Sequence, residues 1–204
     1  MLYIISISVL LFSVIVHEVS HGWVAYKCGD STAKVLGRLT LNPVYHIDIV
    51  GTILLPLALV FIGLPAFGWA KPVPINMRNF NNPKRDILYV SAAGVSANIL
   101  LAVISAILMF FIRNYFANVE IFAYTYISLQ YMVIINIVLF VFNLVPVPPL
   151  DGSKILLYIL PSKWAVQYIK IEKFGFLIII VLLTTGILWK IIGPIVNFLI
   201  KILL

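Results

Sequence analysis

Two histidines and a glutamate lie within five residues in an apolar stretch near the N-terminus, in the order His17-Glu18-Val19-Ser20-His21. Residues i and i+4 share one face of a helix, so both imidazoles could bind one metal ion. A zinc-bound water has a pKa of about 7, and the intervening glutamate could take its proton as a general base. The motif therefore predicts hydrolytic zinc chemistry. The alternative is a chance motif at a helix end whose polar side chains reach the lipid headgroups.

Asp151 is the candidate for a third zinc ligand, since catalytic zinc usually has three protein ligands and one open position. It is one of only seven acidic residues, and it directly follows an apolar stretch in the run N-L-V-P-V-P-P-L-D-G that begins at Asn143. The three prolines exclude regular helix there and could turn the carboxylate back toward the bundle. The alternative role for Asp151 is the N-cap of a helix that begins near Ser153.

Three other polar residues are weaker candidates. His46, beside Asp48 in a loop, is an alternative nitrogen ligand. A structural role, or a hydrogen bond to a residue that binds the metal, is favoured over direct ligation. Asn98 lies in the middle of an apolar stretch, where it could bond another helix or belong to the site. Asn136 presents the same choice, with packing favoured. Gly94 predicts a close approach of two backbones, again a packing feature first.

The composition requires a bilayer. The chain has 204 residues, of which 63% are hydrophobic and 10% charged, whereas soluble domains carry about a quarter charged residues. A net charge of +7 is best explained by basic loops on the inner side of a membrane, and no basic patch supports nucleic-acid binding. The single Cys28 excludes an intramolecular disulfide. The first apolar stretch lacks the features of a cleaved signal peptide, so we expect a retained membrane helix.

We therefore predict an all-α membrane protein, with one domain over residues 1–204 and a polytopic bundle of four to five transmembrane helices. Short β-like strands are expected near residues 34–76, where an unwound substrate could bind by strand addition. Proline and glycine interrupt the apolar segment 49–69, which is either re-entrant or a fifth span. The predicted spans are about 2–26, 87–112, 122–144 and 174–192.

The basic residues favour the re-entrant alternative. If segment 49–69 returns to the side from which it enters, most basic residues lie on one face, against Arg113 alone in the opposite connecting loop. That face holds Lys27, Lys34, Arg38, Lys71, Arg78, Lys84, Arg85, Lys154, Lys163, Lys170 and Lys173. The rule makes this face cytoplasmic. A plain hydropathy count would give five spans instead.

The paired motifs resemble the site-2 protease family of membrane zinc metalloproteases, peptidase family M50. H-E-x-x-H in an early span and N-x-x-P-x-x-x-L-D-G near the end of a later one carry the resemblance. The runs that begin at Leu41, Gly68 and Gly94 are similar to those of a compact prokaryotic subgroup without PDZ or CBS domain. The similarity extends over roughly residues 10 to 160.

The resemblance implies one Zn²⁺ per chain, bound by His17, His21 and Asp151, with Glu18 activating the water. It implies that Asn143 helps to hold the substrate or the oxyanion. The expected substrate is a transmembrane protein cut within or near its membrane segment. The expected location is the prokaryotic plasma membrane, with the active site toward the cytoplasm and a regulatory membrane partner in place of the missing domains. The oligomeric state is left open.

Two other functions compete with the protease. A transporter or channel could use buried histidine and aspartate to pass protons or metal ions, but it would not need a glutamate between metal-spaced histidines, and no inverted repeat is found. A pseudoenzyme that only binds partners is opposed by the intact motifs.

His21 and Asp151 can share one zinc only if the C-terminal ends of their spans lie on the same side, which independently favours the re-entrant segment.

Overall fold

The computed structural model describes residues 2–63, 68–116 and 121–204, and the regular elements among them are helices. Short 3₁₀ turns cover Pro43–His46, Met77–Asn79 and Glu172–Phe174, and a π-helical segment, Ile49–Leu54, leads directly into the third α-helix. The α-helices are α1 Leu2–Lys27, α2 Thr32–Val35, α3 Leu55–Phe61, α4 Pro83–Tyr115, α5 Ile121–Asn143, α6 Asp151–Ile159, α7 Ser162–Ile169, α8 Gly175–Thr184 and α9 Ile187–Leu203.

Within the described ranges, α1, α4 and α5 are each long and apolar enough to cross a membrane. At 1.5 Å per residue the 33 residues of α4 extend about 50 Å, well beyond the roughly 30 Å of a hydrocarbon layer. Many large apolar side chains point outward, as expected when lipid rather than water surrounds the bundle. The prediction of an all-α membrane protein is confirmed.

Helix α4 is the central element of the bundle, because it packs against α1, α5 and α6. Its start lies before the apolar stretch: the Asn82 side chain accepts from the Arg85 N–H, Asp86 accepts from the Asn82 N–H, and Pro83 occupies the first turn. The apolar core lies between α4, α5 and α9. Its buried members are Ala102, Met109, Val133, Ile137, Val141, Leu188, Ile192 and Val196.

The predicted span 174–192 is not one straight helix. It divides into α8 and α9 at Thr185 and Gly186, and the helices on either side of this break are bent by 75°. Gly186 has a φ of +71°, a left-handed conformation that ends a helix and that glycine adopts without strain. A fourth crossing would require the bent pair to act as one span.

The ends of segment 49–69 meet. The Trp69 N–H donates to the Gly51 carbonyl at 3.1 Å, and the Thr52 hydroxyl donates to the Trp69 carbonyl at 2.9 Å. The two ends of the segment therefore lie side by side. Its re-entrant placement stays a prediction, and the contact between its ends supports it. The proline at position 65, one of the predicted interruptions, lies outside the described residues.

The prediction of β-like strands near residues 34–76 is wrong for the residues that the structure describes. Lys34 lies in the short helix α2, and the segment Lys71–Asn76 has no strand partner. Pro72 and Pro74 supply no N–H, and the N–H groups of Lys71, Val73 and Asn76 donate to groups outside any strand. The segment Lys71–Asn76 is consequently an extended loop and does not pair as a strand.

Candidate metal centre

Helix α1 places His17 and His21 one turn apart on its buried face. Their Nε2 atoms lie 3.0 Å from each other, and both residues are only 7% exposed. Each Nδ1 faces an oxygen of α4: His17 Nδ1 lies 2.7 Å from Asn98 Oδ1, and His21 Nδ1 lies 2.6 Å from the Val90 carbonyl oxygen. The helical spacing predicted from the motif therefore directs both Nε2 atoms to one point, with the opposite ring edges held by α4.

Asp151 reaches the same point from the first turn of α6. Its Oδ2 lies 3.2 Å from His17 Nε2 and 3.1 Å from His21 Nε2. The proline-containing turn after α5 makes this approach, and Gly152 lies so close to the Leu144 carbonyl that a side chain there would overlap with it. The N-cap of α6 is Leu150, so the alternative of Asp151 as a helix cap is wrong.

The protons of this cluster show why a cation fits. The Val90 carbonyl only accepts hydrogen bonds, so His21 Nδ1 carries the proton and its Nε2 presents a lone pair. Asp151 Oδ2 is buried and has no hydrogen-bond partner. Ligand atoms about 2.0–2.2 Å from a tetrahedral zinc lie about 3.3–3.6 Å apart, a few tenths of an ångström more than the distances between these atoms. The residues therefore fit a zinc ion.

The two oxygens of the Asp151 carboxylate have different surroundings. Oδ2 faces the Nε2 atoms of His17 and His21, an arrangement that a shared cation would stabilise. The Oδ1 atom lies 3.8 Å from the Lys154 ammonium, so the two oxygens face different partners. Together with the neutral imidazoles, this carboxylate gives the ligand set one negative charge.

Gly94 on α4 closes the cluster from the third side. A Cβ atom at this position would lie 2.5 Å from His17 Cε1 and His21 Nε2, and 2.6 Å from His17 Nε2. The missing side chain leaves the space in which a metal ion would contact both imidazoles. The predicted close backbone approach is present, and it occurs against the histidines.

Glu18 contacts the extended loop Lys71–Asn76. Its Oε2 accepts a hydrogen bond from the Val73 N–H at 2.9 Å, and Gly22, one turn later on α1, lets the Val73 side chain approach. The loop is held on both sides of Val73. Arg38 donates to the carbonyls of residues 71 and 72, at 3.0 and 3.3 Å, and the Asp30 carboxylate accepts from the Asn76 N–H at 2.7 Å.

The weaker candidates from the sequence separate in the structure. Asn98 contacts His17 directly. His46 is fully buried, its Nε2 lies 2.8 Å from the Thr40 carbonyl oxygen, and it is not part of the cluster. Asn143 donates to the Leu139 carbonyl within its own helix at 3.0 Å, and no described bond joins it to the cluster. Its proposed contact with substrate stays a prediction.

Three groups at the site were not predicted from the sequence. The Val90 and Val73 backbone groups carry no side-chain signal, because any residue can supply a carbonyl or an N–H. Asn136 was assigned to packing, yet its amide bonds Asn98. Two buried asparagines in neighbouring apolar stretches were the available signal, since each needs polar partners in a membrane.

Known proteins have similar sequences. The chain is 40% identical over 192 residues to "Putative zinc metalloprotease YwhC" of Bacillus subtilis (strain 168), covering 92% of this chain and 84% of that protein. The chain belongs to the site-2 protease family. The model of Peptidase family M50 matches residues 119–186, which include Asn143 and Asp151. The family's metallopeptidase chemistry agrees with the cluster of two histidines and an aspartate.

Two further relatives are less similar to the chain. "Putative zinc metalloprotease Rip2" of Mycolicibacterium smegmatis is 28% identical over 90% of this chain and 68% of its own length. The protein of the same name from Mycobacterium tuberculosis (strain H37Rv) is 29% identical over 74% of this chain and 55% of its own length. No solved structure matches. The chain is thus a multi-pass membrane metallopeptidase of this family.

Proposed function

We propose that the chain is an intramembrane zinc metalloendopeptidase that hydrolyses peptide bonds within or near the transmembrane segments of other proteins. The observation that carries this proposal is the convergence of two imidazole Nε2 atoms and one unpartnered carboxylate oxygen between apolar helices. His17 and His21 lie within the first span, and Asp151 follows the third long helix closely. The substrate bond would accordingly be cut at or near membrane depth.

In this proposal His17, His21 and Asp151 hold one zinc ion through Nε2, Nε2 and Oδ2. Bound zinc would supply a water of pKa about 7 and a positive charge near the scissile carbonyl. Glu18 takes the proton of the attacking water and passes it to the leaving amine. The Val73 N–H holds Glu18 Oε2, which leaves Oε1 for the water.

In this proposal, water reaches the site from the basic side of the protein. A cavity of about 590 Å³ lies between α4, α6 and α7 beside the metal-ligating turn, and Ser153, Lys84 and Lys154 contribute to its lining. Lys154 also faces Asp151. We propose that this cavity opens to the cytoplasm, with segment 49–69 re-entrant and the protein in the plasma membrane of a prokaryote. The basic loops support that orientation.

The proposed substrate must lose helical structure before it is cut, because its carbonyls are otherwise hydrogen-bonded within the helix. The extended loop Lys71–Asn76 offers few N–H groups for strand addition: its prolines have none, and those of Lys71, Val73 and Asn76 already donate to His46, Glu18 and Asp30. The loop is therefore poorly suited to strand addition, all the more because the carbonyls of Lys71 and Pro72 already accept from Arg38.

The test is cleavage of a single-span substrate by protein purified in detergent. Wild type should contain one zinc per chain and cut the substrate, whereas Glu18→Gln should retain zinc and lose cleavage. Chelation should abolish cleavage, and added zinc should restore it. Zinc-containing protein whose cleavage of the substrate is unaffected by Glu18→Gln would contradict the proposed mechanism. Ion flux through wild-type protein in vesicles, without cleavage, would favour the transporter alternative.

A further inference from the structure

A line of buried polar side chains runs through the bundle from α5 to the metal-binding histidine. Asn136 Nδ2 donates to Ser13 Oγ at 2.8 Å, and Asn98 Nδ2 donates to Asn136 Oδ1 at 2.8 Å. Asn98 Oδ1 then lies 2.7 Å from His17 Nδ1. Ser13, Asn98 and Asn136 are fully buried, so water cannot replace their partners. We call Ser13, Asn136 and Asn98 the polar chain.

The direction of hydrogen bonding in the polar chain is fixed at Asn136 and Ser13, the end away from His17. Asn136 Nδ2 also donates to the Met132 carbonyl at 2.9 Å, and a carbonyl can only accept. The Ser13 hydroxyl donates its own proton to the Val9 carbonyl at 2.8 Å, so it accepts from Asn136. Both contacts require the nitrogen of the Asn136 amide on their side. Its oxygen must therefore face Asn98.

This orientation decides the protonation of His17. Because Asn136 presents an oxygen, Asn98 must donate to it through Nδ2, and the Asn98 oxygen is left for His17. His17 Nδ1 then carries the ring proton, and Nε2 presents its lone pair to His21 and Asp151. With the Asn98 amide reversed, the proton would move to Nε2 and point at the position of the metal ion.

We infer that Asn136 and Ser13 are positioning residues for divalent-cation binding, although neither touches the ligand cluster. They act by fixing the Asn98 amide and, through it, the Nδ1-protonated form of His17. This inference rests on the metal site proposed above. Residues that hydrogen-bond to metal ligands typically change metal affinity by about 10- to 100-fold. In the polar chain this role passes from Asn98, which contacts His17, to Asn136 on α5 and then to Ser13 on α1.

The experiment measures zinc affinity by chelator competition in detergent for wild type and Asn136→Leu. We expect about a 10- to 100-fold weaker affinity in the variant. Val133→Ala is the matched control, since Val133 is equally buried on α5 and lies in the apolar core. It should bind zinc as wild type does. Ser13→Ala should lose less affinity, because the Met132 carbonyl still orients Asn136, and Ser13→Thr should restore it.

A second readout separates positioning from folding. The chain has three histidines, so their ¹⁵N resonances can be assigned in metal-free protein, at a pH high enough for the imidazoles to be neutral. His17 should be protonated at Nδ1 in wild type and in Val133→Ala, and should shift toward Nε2 protonation in Asn136→Leu. Weaker zinc binding with unchanged His17 protonation would overturn the inference, as would unchanged affinity. Failure of wild type to bind zinc would refute the metal site itself, which is a different result.

Discussion

The backbone N–H of Val73 donates to Oε2 of Glu18 at 2.9 Å, and this bond joins the extended loop to the helix that carries the histidines. The carboxylate has a second oxygen for water, so the bond can orient the side chain without occupying it. Arg38 and Asp30 hold the loop on either side of Val73. The proposed general base is consequently positioned from outside its own helix.

Val73→Pro removes this donor and is expected to lower the turnover number about tenfold while leaving zinc content unchanged. Hydrogen bonds to charged groups contribute about 1.5–3 kcal/mol, and 1.36 kcal/mol corresponds to tenfold in rate. Val73 precedes Pro74, which already favours an extended backbone, so proline should be tolerated. The measurement is the cleavage rate at saturating substrate. Val73→Ala keeps the N–H and is the control; equal rates for the two variants would show that the bond does not matter.

Gly94→Ala should remove zinc binding while the helix stays intact. The added methyl group would lie about 2.5 Å from His17 and His21 atoms, in the space that the cation needs, and alanine favours helix more than glycine does. Gly193 offers a matched control on α9, because nothing lies within 4 Å of a Cβ built there. Zinc per chain and helix content should be measured for both variants. Full zinc occupancy in Gly94→Ala would disprove the assigned position of the metal.

Asp30→Asn should destabilise the protein at neutral pH but less at acidic pH. Burial alone would raise the pKa of the Asp30 carboxyl, but hydrogen bonds from Thr32, Asn76 and Asn79 lower it below its ordinary value. A lowered folded-state pKa contributes stability above the unfolded pKa of about 3.9 and loses it as pH falls through the folded value. Thermal unfolding in detergent at pH 7 and below pH 4 should show the difference from wild type shrinking. A difference that stays constant would contradict the role of the charge.

The long helices could be predicted from apolar length almost to the residue. The prediction for the first span, 2–26, compares with Leu2–Lys27 in the structure, and 122–144 compares with Ile121–Asn143. Helix α4 begins four residues before its predicted start because Asn82 and Pro83 cap it in a polar segment. The break at Gly186 was missed because Thr184, Thr185 and Gly186 are residue types that also occur inside transmembrane helices, so they did not mark a helix end.

The two histidines could be proposed as metal ligands from helical spacing, which is a local property. Asp151 could be chosen over a helix cap only through the resemblance to the site-2 protease family and the requirement that both ligand-bearing spans end on the same side. The contacts behind these side chains could not be predicted. Asn136 meets Asn98 only after α4 and α5 pack together, and Val73 meets Glu18 through a backbone atom. The expected strands near residues 34–76 failed for a related reason, since prolines and side-chain acceptors take up the N–H groups that a strand would need.

Joint measurement of zinc content and cleavage in wild type and Glu18→Gln tests the central claim most directly. The account predicts one zinc per chain in both proteins, cleavage of a single-span substrate by wild type only, and loss of that cleavage on chelation. A Glu18→Gln variant that cuts the same substrate at the wild-type rate, or a wild-type protein that cuts equally well without zinc, would contradict it.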